Sequence, residues 1–305
     1  MITGVLSAAV VQAEIHDRLL DLRHRVPAEL WPAFDALLAH RGFLAAEPEP
    51  FFHPLGHPIA SLPVWVGATV GLEGTDGEAR LLDLIEATIV GYLYVRVHDD
   101  RLDEGLGDPD ESLFLAATFL VRHQTLLARH VGTSERFWTY FEQVAADYSA
   151  AMLLERSVLR AGATYGQREF DLVLGRSRPL ILPAAGLLDM ADRWELLGSL
   201  QRFVHHCVRA AQLVDDLLDC EADRAAGRLT WTVRRLGGEA GPTAMVQGLV
   251  SGGVDEIVAD ALRDVEASDA AAVELGMITA RSWLAERRAE IVALRETILT
   301  RFLLG

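Results

Sequence analysis

His98-Asp99-Asp100-Arg101-Leu102-Asp103-Glu104 and Gln212-Leu213-Val214-Asp215-Asp216-Leu217-Leu218-Asp219 each hold an acidic cluster preceded by an apolar stretch, Tyr92 to Val97 and Ala210 to Val214. On a helix of 3.6 residues per turn, positions i, i+3 and i+4 share a face. Asp99, Asp100 and Asp103 therefore project together, as do Asp215, Asp216 and Asp219. Carboxylates crowded in this way repel one another and need a cation. Magnesium takes oxygen ligands, keeps several waters, and is held by a few carboxylates together with the phosphates of a substrate. One acidic patch on a helix is ordinarily solvated surface. The same DDxxD spacing twice, in apolar surroundings, implies a magnesium-diphosphate site.

Outside the two clusters, 305 residues that are 50% hydrophobic suffice to bury a large core, and a single domain spanning 1–305 is expected. The formal net charge of −16 disfavours nucleic acid and anionic membrane as partners, since both require basic surface. No lysine occurs, so any phosphate-binding lysine expected of a relative must here be arginine or absent. Cys207 and Cys220 fall within one predicted long helix and have no metal-ligand spacing, so neither a disulfide framework nor a zinc site is expected, and a reducing cytoplasm fits. The apolar stretch Ile2 to Val11 follows no positive charge and runs into polar Gln12 to Arg18, which reads as a first helix or lead-in. Apolar runs elsewhere are cut by charges within about a dozen residues, so no membrane span is expected.

Apolar residues recur at helical spacing nearly throughout, and β-branched alternation is scarce, so the fold class is all-α. Helices are predicted over 11–25, 28–41, 62–72, 78–104, 111–131, 135–160, 167–174, 192–224, 241–250, 254–264 and 267–300. Glu47 through Pro58 reads as a loop, Gly71 to Gly77 as a turn, Gly105 to Pro109 as the end of the first acidic helix, and Gly237 to Pro242 as another turn.

At these motifs the chain resembles the class I isoprenoid synthases, specifically the trans-prenyl diphosphate synthases and the terpene synthases that share their fold. His98 to Glu104 is similar to that family's first aspartate-rich motif. Gln212 to Asp219, followed by Asp223 and Gly227-Arg228, is similar to the second. The resemblance covers roughly Leu55 to Arg235. It implies an antiparallel helical bundle around a deep apolar cavity, with magnesium, three ions in number, held by Asp99, Asp100, Asp103, Asp215, Asp216, Asp219 and Asp223. It also implies ionisation of an allylic prenyl diphosphate of C10–C20 length to a carbocation. Metals stabilise the departing diphosphate, an apolar cavity excludes water, and aromatic faces stabilise a cation by roughly 0.5–2 kcal/mol each. Tyr92, Tyr94 and Val95 are the candidates for lining that cavity, with ordinary core packing as the alternative for both tyrosines.

Departures from the family pattern bear on the reaction. Where relatives carry a Gly-Lys-Arg stretch upstream of the first motif, this chain has Gly56-His57-Pro58-Ile59-Ala60. Where they carry paired arginines after it, this chain has Gly107-Asp108-Pro109-Asp110, and their substrate histidine aligns with Tyr92. A second diphosphate pocket so depleted of charge argues against condensation with isopentenyl diphosphate. The ionising side is better kept: Arg176, Arg178, Gln212 and Arg228 are candidate diphosphate ligands, a guanidinium serving where relatives have lysine. For each arginine a surface charge or helix-end contact is the alternative.

Asp215, Asp219 and Asp223 at i, i+4 and i+8 also have the spacing of the terpene-cyclase metal triad. The reading is therefore a terpene synthase that cyclises or rearranges one prenyl diphosphate, with a trans-prenyltransferase, elongating or head-to-head, as the alternative. A homodimer is compatible with either. A helical metal-binding protein of the di-iron type is disfavoured because no Glu-x-x-His pair occurs. His205-His206 are read as a cation-quenching base or as hydrogen-bonded helix histidines.

Overall fold

The computed structural model describes residues 8–40, 60–72, 75–101, 108–160 and 162–304, which contain helices and turns and no strand. The α-helices are α1 (Ala8–Arg23), α2 (Trp31–His40), α3 (Ser61–Thr69), α4 (Thr75–Asp99), α5 (Pro109–Val131), α6 (Glu135–Val158), α7 (Gln167–Val173), α8 (Leu182–Met190), α9 (Leu197–Leu218), α10 (Cys220–Ala225), α11 (Trp231–Arg235), α12 (Pro242–Gly248), α13 (Val254–Leu275) and α14 (Ile278–Leu304). The all-α expectation holds. None of these helices is long and apolar enough to cross a membrane. The chain divides into two compact units, one drawn from 1–141, 179–197 and 275–279, the other from 142–178, 198–274 and 280–305.

In the first unit α4 lies along α5, and α1, α3 and α8 pack on α4. Leu84, Ile85, Ile89, Val90 and Leu93 of α4 are fully buried. Gly91 lets α5 approach: a Cβ there would stand 3.0 Å from Nδ1 of His123, which lies 2.7 Å from the Ala87 carbonyl oxygen. Burial holds the His123 imidazole neutral, with its pKa lowered to about 4. Two carboxylates of α4 are tolerated inside because each is paired. Glu86 accepts from Arg18 (3.1 Å) and Arg122 (2.6 Å), while Asp83 accepts from Arg18 (2.6 Å) and Arg129 (2.8 Å) and lies 2.8 Å from His130. Burial pushes the Asp83 carboxyl up, but its partners prevail and leave it at about 2.

The sequence reading leaves 175–191 without a helix, yet α8 occupies Leu182–Met190 and is buried from Leu182 to Leu188. Pro183 sits in the first turn, where its missing N–H costs nothing, and a helix buried on all sides shows no amphipathic period. The predicted helix 78–104 ends earlier as an α-helix: after Asp99 the chain passes into a π-type turn at Asp100 and Arg101, a widening frequent at functional sites. Asp103 and the loop expected over 47–58 lie outside the described residues.

The predicted helix 192–224 is resolved into a 3-10 turn at Trp194–Leu196, α9, a bend at Asp219, and α10. The backbone ladder spans that bend, Asp219 N donating to the Asp215 carbonyl at 2.9 Å and Asp223 N to that of Asp219 at 2.8 Å, so the three residues remain stacked. The expected break at 265–266 is absent, for α13 runs through to Leu275. Chain direction changes instead at Gly276, whose φ of +72° is a left-handed helix end that glycine adopts without strain.

Candidate functional site

The first cluster sits at the C-terminal end of α4. Asp99 and Asp100 are both buried, and Arg96, one turn earlier, donates to Asp99 Oδ2 at 3.2 Å and to Asp100 Oδ1 at 3.3 Å. A helix C-terminus carries partial negative charge, so two carboxylates there are held at a cost that a cation relieves. A cleft of about 550 Å³ opens beside Asp100, walled by Ala33, Ala36 and Leu37 of α2 and by Val97, Asp108 and Leu115. Asp108 caps α5 by accepting from Asp110 N (2.8 Å) and Glu111 N (3.2 Å). Of the cavity candidates, Val95 is buried and Tyr92 half-buried, and the Tyr94 ring meets His98 edge-on at 4.5 Å. Burial raises the Tyr94 phenol and lowers the His98 imidazole from their ordinary values.

The second cluster presents two different faces. Asp215 and Asp219 are exposed, and Asp223, 7% exposed, accepts from Arg228 Nη2 at 2.7 Å and Nε at 2.9 Å. Burial raises the Asp223 carboxyl against the pull of Arg228. Asp216 is 5% exposed, and burial pushes its carboxyl to about 7. Gln212 Nε2 donates to Asp216 Oδ1 at 2.6 Å, and Gln212 Oε1 accepts from Arg176 Nη2, also at 2.6 Å. Arg176 Nη1 donates to Glu155 Oε1 of α6 at 2.5 Å. Tyr165 lies buried within the field of Asp216, Glu155 and Arg176, and burial raises its phenol far above the ordinary value. Arg287 of α14, 1% exposed, has Asp215 and Glu290 among its charged neighbours and sits 5.1 Å above Trp283.

Three of the four diphosphate-ligand candidates thus join the second acidic cluster: Arg176 and Gln212 at Asp216, and Arg228 at Asp223. Arg178 does not; half exposed, it pairs with Asp147. His206 is a hydrogen-bonded helix histidine, its Nδ1 2.8 Å from Asp264. Sequence reasoning missed Glu155, Tyr165, Arg96 and Arg287. Glu155 left a signal, as a single acid closing the run Met152-Leu153-Leu154; the others left none.

The donors offered by both clusters are carboxylate oxygens, the chemistry magnesium prefers. Among the described residues no three His, Cys, Asp or Glu side chains converge into a cage that would hold a metal alone.

No family model and no curated protein matches the chain. Solved structures do. T. brucei FPPS, a trans-prenyl diphosphate synthase, in complex with a benzindole dicarboxylic acid superposes with a TM-score of 0.56 at 12% identity, covering 97% of this chain and 100% of that one. Its complexes with chloro- and dichlorobenzothiophene acetic acids give 0.52 at the same identity and coverage. The chain has the class I isoprenoid synthase fold. The likeness of fold covers nearly the whole length, beyond the Leu55 to Arg235 stretch in which the motifs lie.

Proposed function

We propose that this chain is a magnesium-dependent isoprenoid synthase, a single catalytic domain acting in the cytoplasm, that ionises an allylic prenyl diphosphate of C10–C20 length. The observation that carries this is the joining of Arg176, Gln212 and Asp216 beside exposed Asp215 and Asp219, a cation and carboxylates close together within the second unit. Asp99 and Asp100, with Asp103, would supply the other carboxylates, and three ions would neutralise the leaving diphosphate. Magnesium when bound supplies Lewis-acid stabilisation of that leaving group. The protein's own part is to orient the diphosphate through Arg176 and Arg228 and to surround the allylic chain with apolar side chains, Tyr92, Tyr94 and Val95 among the candidates.

The fate of the carbocation separates two readings. Likeness to T. brucei FPPS supports prenyl transfer, in which a second isoprenoid attacks the cation. The start of α5 supports cyclisation or rearrangement instead, because Asp108 and Asp110 put carboxylates where the resemblance calls for arginines that bind a second diphosphate. Incubation with magnesium and geranyl, farnesyl or geranylgeranyl diphosphate, with and without isopentenyl diphosphate, decides between them. Products with added carbons that require isopentenyl diphosphate establish transfer; an unlengthened hydrocarbon or alcohol formed without it establishes the cyclase. Absence of diphosphate release under every condition refutes both.

A further inference from the structure

The second acidic cluster is divided by helix geometry. Asp215, Asp219 and Asp223 follow one another at four-residue steps and stay on one side of α9 and α10, whereas Asp216 is turned about 100° away. Gln212 stands four residues before Asp216, so those two share the other side. Both ends of the Gln212 amide are engaged, its oxygen by Arg176 and its nitrogen by Asp216. Glu155 takes the other terminal nitrogen of Arg176 from α6. The side chains of Arg176 and Glu155 are 20% and 11% exposed, so this chain of bonds runs largely out of water, where charge-assisted bonds are strong. A guanidinium gripped at both terminal nitrogens has its plane fixed.

Resting on the function proposed above, we infer that Asp216, Gln212 and Glu155 form a clamp that orients Arg176 for a diphosphate, with Asp216 and Gln212 positioning residues and the metal-binding duty left to the exposed Asp215 and Asp219. A buried carboxylate that accepts from a side-chain amide has little room to surrender an oxygen to a hydrated metal. An amide with both ends used is likewise a strut between neighbours. Of the four expected diphosphate ligands in this part of the chain, Gln212 thus acts through Arg176.

Calorimetric titration of the full chain with inorganic pyrophosphate, at several magnesium concentrations, tests the division. Asp219→Asn is expected to raise the magnesium concentration needed for half-maximal pyrophosphate binding at least about fivefold. Asp216→Asn keeps an oxygen for Gln212, so it should leave that requirement within about twofold and the affinity within about threefold. Asp216→Ala and Glu155→Ala should weaken pyrophosphate roughly tenfold, the loss of one charge-assisted bond, with the magnesium requirement unmoved. Far-UV circular dichroism checks folding. Should Asp216→Ala not fold, Glu155→Gln, which keeps the shape and removes the charge, should still weaken pyrophosphate several-fold. A magnesium requirement shifted by Asp216→Asn as much as by Asp219→Asn overturns the clamp, as does full affinity in both Glu155 variants. If the wild-type chain binds no magnesium pyrophosphate at all, the proposed function falls and the clamp with it, a result distinct from failure of the variants alone.

Discussion

Replacing Gly91 by alanine would place a methyl group 3.0 Å from Nδ1 and 3.1 Å from Cε1 of His123. The ring has little freedom to retreat. It is 3% exposed, tethered to the Ala87 carbonyl oxygen at 2.7 Å, and backed by Phe141 at 6.1 Å between ring centroids. Two effects oppose one another. Alanine in place of glycine inside a helix gains about 1 kcal/mol. Overpacking a close contact costs about 1–3 kcal/mol, and loosening a buried hydrogen bond about 1 kcal/mol more. The net expectation is a loss of roughly 1–3 kcal/mol, or about 2–5 °C in Tm for a chain of this size. Differential scanning calorimetry measures it. The decisive comparison repeats Gly91→Ala in a His123→Ala background, where the ring is gone and only the helix-propensity gain remains. There the substitution should be neutral or stabilising by up to about 1 kcal/mol. An equal cost in both backgrounds would refute the steric reasoning and the close α4–α5 approach on which it rests.

Four other outcomes follow from the site. Asp219→Ala should abolish turnover with a stability change within about 0.5 kcal/mol, since the residue is exposed, whereas Asp99→Ala should abolish turnover and also cost about 1–3 kcal/mol, because it strips Arg96 of a buried partner; comparison of product formation with urea unfolding checks both. The Asp216 carboxyl, raised by burial to about 7, holds a proton in the folded chain that the unfolded chain has released, so its contribution is full below about pH 4 and is lost as pH rises through 7. Urea unfolding at pH 5 and pH 8 without magnesium should therefore show a stability difference that Asp216→Asn reduces, and an unchanged difference would contradict the burial. Chelation of magnesium should stop turnover yet move Tm by less than about 1 °C if the ion is shared with the substrate's phosphates, while magnesium and pyrophosphate together should raise Tm. Arg178→Ala, which breaks only a half-exposed pair with Asp147, should leave the KM for prenyl diphosphate within about twofold in steady-state assays, whereas Arg176→Ala should raise it at least about tenfold.

Helix type was legible because 3.6-residue periodicity survives in amphipathic elements such as α5 and α9, which keep one face buried and one wet. It failed where burial is complete. Leu182 to Leu188 carries no polar face to set a period, and Pro183 and Gly186 resemble breakers although one sits in a first turn and the other admits Val131 Cγ2 within 3.1 Å of its missing Cβ. Helix ends were misread for a related reason. The break placed near 265 fell in a stretch of small and acidic residues, Glu266 to Ala272, that a helix accommodates. The actual end at Gly276 depends on a left-handed φ, which only the folded backbone reveals.

At the site, what was legible is charge in register, and what was hidden is the partner of each charge. The aspartates announced themselves by spacing, since side chains three and four residues apart share a helix face whatever the rest of the fold does. That rule treats Asp215, Asp216 and Asp219 alike, and the structure does not: one turns inward to Gln212 while two face water. Burial makes the distinction, and the partners come from afar, α6 supplying Glu155 and the 3-10 stretch Leu174–Ile181 supplying Arg176, 57 and 36 residues upstream of Gln212. A motif drawn from sequence can therefore fix the kind of ion a helix face attracts, but the division of labour within it belongs to the neighbours. Arginine in place of lysine sharpens the point. A lysine ammonium is a point charge that tolerates many approach angles, whereas a planar guanidinium must be aimed to bind a phosphate with two donors. A chain that contains only arginine thus has greater need of residues such as Glu155 and Gln212 to set the plane.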